Sequence, residues 1–291
     1  MRKLENVLDS GEFVLTCELN PPKGTDLVAL FEKADQLKNV VDAFNLTDSH
    51  AARMAMTPLA VAHLLVDRGL EPILQITTRD RNRIALQGDL LGADALGVHN
   101  VVFMGGDPPS TGDHPDAKPV FDVYSSRMLQ AASALQAGTD MAGNLISGKP
   151  HFCIGAVVNL GAPDLGEEIM RMGEKIEAGA SFFQTQAVYE LASFERFAQA
   201  AAQFSVPVLA GIIPLKSIKQ ARYMNARVPG INVPEAIIQE IGNAGDGTAA
   251  SLAIAARTIR ALDGMCQGLH IMAIGWEAYI PELLSQAGVQ R

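Results

Sequence analysis

The fold is decided first by residues 12–22, which read EFVLTCELNPP and predict a buried β-strand. Proline lacks a backbone N–H and cannot continue a hydrogen-bonded ladder, so the two prolines end the strand. Successive side chains of a strand point to opposite faces, and one face here is wholly apolar: Phe13, Leu15, Cys17 and Leu19. The opposite face carries Val14, Thr16 and, at the end of the strand, the carboxylate of Glu18.

Glu18 is the first candidate for a group that does chemistry. A carboxylate at the end of a buried strand is costly to place there unless it is paired or held protonated. The alternative is an exposed strand end, where Glu18 would pair with a nearby lysine or arginine.

The rest of the chain alternates short apolar runs with longer amphipathic stretches. The predicted strands are 12–19, 41–47, 71–77, 100–105, 150–158, 181–186, 206–213 and 268–274. Predicted helices between them are 27–39, 57–68, 81–96, 123–136, 167–178 and 191–202, with three more at 215–226, 234–241 and 247–263. Repeated βα order predicts a parallel sheet.

Eight such units in 291 residues predict a (β/α)₈ TIM barrel with extra helices between strands seven and eight. We expect a single domain over residues 1–291, in which residues 1–11 are a short lead-in segment. The alternative is a doubly wound open sheet, but no GxGxxG follows the first strand.

Composition excludes several classes of partner. With 48% hydrophobic residues the chain can bury a full core, and a formal net charge of −9 argues against nucleic acid and gives no reason to expect an anionic membrane. Three distant cysteines without a CxxC, and histidines without an HExxH, predict neither a disulfide framework nor a metal site. The first residues lack a signal-peptide core and no apolar run could span a bilayer, so we expect a cytoplasmic protein.

Two predicted loops are long. Residues 107–119, DPPSTGDHPDAKP, follow strand four at the carboxyl end of the barrel, where a long loop is often functional. Residues 138–149 precede strand five at the opposite end, and we interpret them as structural or disordered.

Polar side chains recur at the strand ends, where most barrels carry aliphatic layers. They are Thr16, Glu18, Asn45, Thr47, Gln75, Thr77, Gln184, Gln186 and His270. If they share the inward face, they converge on one mouth of the barrel and suit a flat, heteroatom-rich ligand, because buried polar groups need partners. The alternative is that they form internal hydrogen bonds only.

Other charged groups lie near the same strand ends. Asp107 follows strand four after Gly105 and Gly106, which permit close approach of the backbone to a planar group, although Asp before Pro also forms plain turns. Arg171 and Lys175, one turn apart on a helix, reach either a phosphate or solvent. The run at 79–83, Arg-Asp-Arg-Asn-Arg, either holds an anion at a helix start or forms internal Arg–Asp pairs.

Taken together, these segments resemble methylenetetrahydrofolate reductase. The motifs are the first strand with its prolines, LQITTRDRNRIALQGDLLGADALGVHNVVFMGGDPP, KIEAGASFFQTQAVYE, GIIPLKSIKQARYMN and GLHIMAIGWE, and they run from Glu12 to Glu277. The resemblance implies a flavin-dependent barrel that reduces the folate 5,10-methylenetetrahydrofolate to 5-methyltetrahydrofolate. It implies FAD as cofactor and NADH or NADPH as electron donor.

Carried over by position, the resemblance implies roles for individual residues. Glu18 becomes the catalytic acid, protonated beside Asp107, which lies near the flavin and the pterin. Gln186 and Gln220 become folate-binding residues. The implied flavin contacts are Thr47, Gln75, Thr77, Gly105, Gly106, Asp107, Ala156, Val158, Arg171 and Lys175.

The chain also departs from the family pattern. Gln75 replaces a histidine that contacts the flavin, Gly105 replaces an arginine, and Val157 or Val158 replaces a tyrosine. These changes remove flavin contacts and leave the electron donor open. Two alternatives follow: a flavin-free reductase in which nicotinamide reduces folate directly, and a subunit that depends on an electron-transfer partner. We expect a homo-oligomer in either case.

Overall fold

A computed structural model describes residues 3–228 and 230–289. Its strands are β1 (Val14–Leu19), β2 (Ala43–Leu46), β3 (Pro72–Thr77), β4 (Asn100–Met104), β5 (Cys153–Val158), β6 (Phe182–Ala187), β7 (Val208–Ile212) and β8 (Gly268–Ile271). All pairs are parallel and follow chain order, and β1 pairs with both β2 and β8, so the sheet is a closed barrel. The predicted (β/α)₈ TIM barrel is confirmed.

Helices surround this barrel. They are α1 (Leu4–Ser10), α2 (Val28–Leu37), α3 (Pro58–Asp67), α4 (Arg83–Ala95), α5 (Ser125–Ala137), α6 (Leu165–Glu177), α7 (Leu191–Ala201), α8 (Ile218–Arg227), α9 (Glu235–Asn243), α10 (Gly247–Ala261) and α11 (Ile280–Ala287). As predicted, α8, α9 and α10 all lie between β7 and β8. Within the described ranges, no helix is long and apolar enough to cross a membrane.

The predicted lead-in segment is helix α1, which closes the amino-terminal end of the barrel. Its buried residues Leu4, Val7 and Leu8 belong to one apolar cluster with inward-facing strand residues: Val14, Ala43, Ile73, Val102, Cys153, Phe182 and Leu209. The side chain of Glu71 accepts hydrogen bonds from the backbone N–H of Leu4 at 3.2 Å and from the amide of Asn100 at 2.9 Å. The lumen at the amino-terminal end of the barrel is therefore filled by apolar side chains.

The two long loops are ordered. In residues 138–149, Thr139 and Leu145 form an antiparallel bridge, and the Asp140 carboxylate accepts bonds from the N–H groups of Ala142 and Asn144 at 2.8 Å each. Residues 138–149 are therefore an ordered structural segment, and the alternative that they are disordered is wrong.

In the loop after β4, the Asp113 carboxylate pairs with Lys23 and accepts a bond from the Met54 N–H at 2.9 Å. This loop is thereby attached to the loops that follow β1 and β2.

Candidate active site

Four polar side chains form a network in the middle of the barrel, here called the lumen network: Thr16, Asn45, Gln184 and His270. The amides of Asn45 and Gln184 bond each other reciprocally, at 2.9 and 3.1 Å. Because β2 and β6 are not neighbours, this pair spans the lumen and shows that both side chains point inward. Nδ1 of His270 lies 3.0 Å from the Thr16 hydroxyl and 3.2 Å from the Gln184 amide nitrogen. The predicted convergence of these residues is confirmed.

Glu18 lies above this network, toward the carboxyl ends of the strands, here called the mouth. Its Oε1 accepts a hydrogen bond from the Gln75 amide at 3.1 Å and lies 3.6 Å from Nε2 of His270. The Glu18 side chain is only 13% exposed. The carboxylate is thus held largely buried at the mouth, with one oxygen facing an imidazole.

The expectation that Glu18 is held protonated is wrong for the unliganded protein. Burial raises the pKa of its carboxyl, but the adjacent His270 and the hydrogen bond from Gln75 lower it by more, with a smaller contribution from the charge of His50. The net pKa lies below the ordinary value of a glutamate, so Glu18 is ionised at neutral pH. The polar neighbours therefore lower this pKa by more than burial in the apolar strand raises it.

Gln186 lies at an irregularity in the sheet. The register between β6 and β7 shifts between Gln184 and Ala187, as in a β-bulge, and such bulges re-aim side chains next to active sites. The Thr185 hydroxyl accepts a bond from the Gly211 N–H at 2.9 Å and donates to the Gln186 carbonyl at 2.7 Å. Gln186 itself stays half-buried at the mouth.

Two of the predicted flavin-contacting hydroxyls have internal partners. Thr47 donates to the Asn20 side chain at 2.8 Å, and Thr77 donates to the Asp48 carboxylate at 2.9 Å. Asp48 also pairs with Arg81, whose other nitrogen binds Asp89. The run at 79–83 therefore forms internal Arg–Asp pairs, as the second interpretation of it expected.

Asp107 is exposed at the mouth, and the chain before it lies close to β3. The Asp107 carbonyl accepts a bond from Arg79 at 3.2 Å. Gly106 has φ +86°, and a Cβ there would lie 3.1 Å from the Thr77 side chain, so this position requires glycine. Around Gly105 a Cβ would meet no atom within 4 Å, which leaves its backbone accessible from the mouth.

The prediction that Ala156 and Val158 contact a flavin is wrong for their side chains. Both are 2% exposed and belong to the apolar layer between the barrel and the helices. Alternation along β5 instead directs Val157, which is 37% exposed, toward the mouth.

The two predicted phosphate-binding cations are paired within the protein. Lys175 donates to the Val157 carbonyl at 2.8 Å and lies 3.8 Å from Glu168, while burial lowers its pKa against the opposing charge of Glu168. Arg171 is half exposed and pairs with Glu167 on the preceding turn of α6. Arg171 thus lies on a solvated helix face, which is one of the two alternatives that the sequence left open.

Gln220 has a local structural role at the start of α8. Ser217 caps the helix by accepting from the Gln220 N–H at 3.1 Å, and the Gln220 side chain accepts from the Lys216 N–H at 2.7 Å. This exchange, in which Ser217 accepts from the first turn of the helix and Gln220 reaches back to the residues before it, resembles a capping box. The spacing Ser-x-x-Gln was the available signal, and the sequence analysis did not use it.

The loop after β2 contains a feature that the sequence analysis missed. Ser49, Ala51 and Ala52 have φ values of 52°, 53° and 55°, which is uncommon for residues other than glycine. This turn holds His50 close enough to Glu18 to affect its pKa. No motif marked it beforehand, because these residues have no turn-forming pattern. Across residues 3–228 and 230–289 no cluster of His, Cys, Asp or Glu could hold a metal ion.

Comparison with family models gives a match over nearly the whole chain. Residues 3–288 match the family model described as methylenetetrahydrofolate reductase. The chain is 24% identical to methylenetetrahydrofolate reductase 2 of Schizosaccharomyces pombe and 23% identical to a probable methylenetetrahydrofolate reductase (NADPH) of Caenorhabditis elegans. Each match covers 99% of this chain but 48% and 44% of the relative. The chain therefore spans about half the length of the curated relatives it matches.

Among solved structures, the fold is similar to an uncharacterised protein from Clostridium thermocellum that binds two copies of 5-methyl-5,6,7,8-tetrahydrofolic acid. The TM-score is 0.67 at 17% identity, with 98% of this chain and 97% of that chain covered. A likeness at this identity supports the barrel architecture.

Proposed function

The chain belongs to the methylenetetrahydrofolate reductase family, and from that premise we propose that it reduces 5,10-methylenetetrahydrofolate to 5-methyltetrahydrofolate with NADH or NADPH as donor. The observation that carries the proposal is the Glu18 carboxylate at the mouth, contacted by Gln75 and His270. A folate substrate is further supported by the Clostridium thermocellum neighbour, whose ligand is the proposed product.

In this proposal Glu18 moves one proton. The pterin lies across the mouth beside Gln186 and Asp107, and the acid form of Glu18 gives its proton to N10 of the folate. The bond between N10 and the bridging carbon breaks with its electron pair going to N10, and N5 forms an iminium with that carbon. Hydride addition to the carbon then gives the N5-methyl group.

We propose FAD as the hydride carrier, because the donor set of the mouth suits its ring. The groups that would hold the ring are Thr47, Gln75, Thr77, Asp107 and the backbone of Gly105 and Gly106. The carboxylate and the accessible glycine backbone offer acceptors and donors to one edge of a flat ring. The two hydroxyls and the amide already donate within the protein, and each keeps one further acceptor or donor position for the ring. When bound, FAD would relay hydride between nicotinamide and folate.

A flavin-free reductase is the second candidate, and a specific observation favours it. Lys175 and Arg171, the cations expected at the flavin phosphates, are both paired within the protein. In that case nicotinamide would give hydride directly to folate, with Glu18 in the same role. Dependence on an electron-transfer partner, a homo-oligomeric state and a cytoplasmic location stay predictions.

An absorbance spectrum of the purified protein tests these proposals together. A band at about 450 nm that bleaches on anaerobic addition of NADH or NADPH and returns with methylenetetrahydrofolate is the result expected for FAD. A colourless protein that oxidises nicotinamide only when folate is present would support direct transfer. If the folate is not reduced with NADH, NADPH or a reduced artificial carrier, the proposed function is wrong.

Replacing Glu18 tests its role as the acid. We expect Glu18→Gln to lower the rate of folate reduction by about 10²- to 10⁴-fold, the usual contribution of a positioned general acid. Folate affinity should change by less than about tenfold, because the amide keeps the size and polarity of the side chain.

The matched control for this variant is Glu195→Gln, on the exposed face of α7. It should retain full turnover. Normal turnover in Glu18→Gln would show that another group is the acid.

A further inference from the structure

The lumen network contains one imidazole, that of His270 on β8. It is 4% exposed and lies between the uncharged network and Glu18. The Nδ1 atom faces the Thr16 hydroxyl and the Gln184 amide nitrogen, and Nε2 faces Glu18 at 3.6 Å. The imidazole therefore connects the inner network to the carboxylate at the mouth.

The neighbours of the His270 ring favour a proton on Nε2. Nε2 faces the Glu18 carboxylate at 3.6 Å, whereas Nδ1 faces a hydroxyl and an amide, and both of these groups can donate to it. In the arrangement seen here the neutral ring therefore carries its proton on Nε2, on the side of Glu18. Since the pKa of Glu18 is lowered, the resting pair is a carboxylate beside an N–H donor.

The amide pair can also accommodate a proton on Nδ1. Asn45 and Gln184 bond each other reciprocally, so turning both amides by half a rotation keeps both bonds with donor and acceptor exchanged. The Gln184 carbonyl would then face Nδ1 and accept from it. The network can thus adopt two arrangements, one for the neutral ring and one for the imidazolium.

We propose that His270 is a positioning residue that stores the proton which Glu18 delivers to the folate. This inference rests on the proposed function. In the doubly protonated ring, the Nε2 proton passes to a Glu18 oxygen, the ring becomes neutral, and Glu18 passes the proton to N10 as the bond from N10 to the bridging carbon breaks. The positive charge of the imidazolium thereby moves to the N5 iminium, and Glu18 returns to the carboxylate.

The charged groups that face this pair are few among the described residues. Glu18 is on β1, and His50, in the turn after β2, acts on Glu18 through its charge. The other side chains that contact the pair, on β1, β3 and β6, are uncharged: Thr16, Gln75 and Gln184. The charge of His50 is therefore the neighbouring charge that a control variant has to remove.

The pH dependence of turnover tests the proposal. We expect His270→Gln to lower kcat by about 10²-fold. In the wild type kcat should fall as the pH rises, and in this variant the midpoint of that fall should lie about one pH unit or more lower. The reason is that a carboxyl releases its proton at lower pH than an imidazole. His50→Gln removes the imidazole near Glu18 but leaves His270 in place. The pH midpoint of kcat should therefore stay within about half a unit of the wild-type value.

An unchanged midpoint in His270→Gln would overturn the proposal. If this variant fails to fold, the same profile can be measured in Gln184→Leu, which removes the amide facing Nδ1. We expect the midpoint to shift there too, and an unchanged profile would again count against the proposal.

Nitrogen NMR of the wild-type protein with labelled histidine gives a readout that needs no turnover. At high pH the His270 ring should carry its proton on Nε2, and a ring protonated on Nδ1 would overturn the proposal. Absence of turnover in wild-type protein would overturn the proposed function and the folate step with it. Turnover with an unchanged pH profile in His270→Gln would overturn only the role of His270.

Discussion

Glu18 illustrates how a single residue's position and its charge state are decided by different parts of the molecule. Strand alternation puts the carboxyl on the inward face of β1, where burial alone favours the acid form. Gln75 on β3 and His270 on β8 reverse that preference and lower its pKa. An acid that is ionised at rest needs a source for the proton it delivers, and in the proposal above that source is the neighbouring imidazole.

At the same scale, Gly211 tests how Gln186 is positioned. A Cβ at this residue would lie 2.5 Å from the Thr185 carbonyl oxygen and 2.6 Å from that of Gln186, so the bulge must shift. We expect Gly211→Ala to cost about 1–3 kcal/mol of unfolding free energy, measured in urea, and to raise KM for the folate.

Gly88, in the interior of α4, provides the matched control for this variant. A Cβ there meets nothing within 4 Å, so Gly88→Ala should be neutral or stabilise by up to about 1 kcal/mol. Equal stability and KM for the Gly211 variant and wild type would contradict the proposed positioning.

At the scale of elements, α1 closes the end of the barrel opposite the mouth. Its apolar residues fill the opening that eight parallel strands leave at their amino ends, and the Glu71 carboxylate binds the first N–H of the helix. The lumen network therefore lies above a packed apolar layer.

The contribution of α1 to stability can be measured at Leu4, which is 0% exposed. We expect Leu4→Ala to lower the unfolding free energy by about 2–5 kcal/mol, because the cavity it leaves lies between the helix and a packed layer. Leu145→Ala removes the same atoms from a residue that is 88% exposed, and should change stability by less than about 0.5 kcal/mol. Similar urea midpoints for the two variants would contradict the role of α1.

At the scale of the whole molecule, ring closure predicts that the barrel unfolds as one unit. Pairing of β1 with β8 leaves neither strand as a free edge. Trp276, the single tryptophan, follows β8 and packs on the main core, so its fluorescence reports the closure point. We expect its urea transition to coincide with that of far-UV circular dichroism, and Leu4→Ala at the opposite end to shift both equally.

A fluorescence change that precedes the loss of circular dichroism would show instead that the last strand detaches first. In that case β8 and the residues after it would form a separate, weaker unit.

Local periodicity in the sequence was sufficient for the architecture. Apolar runs of strand length alternate with amphipathic runs of helix length, and this order implies a parallel sheet. The count of eight such units implies a barrel with its site at the carboxyl ends of the strands. Alternation within β1 also separated Glu18 from the apolar face of the same strand. These features depend on neighbours a few residues apart, so a single chain read in order contains them.

Tertiary structure alone decided the contacts between strands. Alternation along β5 states that Ala156 and Val158 share a face, but only closure of the barrel shows that this face meets the helices. The pKa of Glu18, the pairing of Lys175 with a β5 carbonyl and the packing of α1 under the lumen likewise join residues far apart in sequence. Periodicity determines the spacing of side chains along one strand or helix. The charge state of a side chain and its bonding partner depend instead on which element, distant in sequence, lies opposite it.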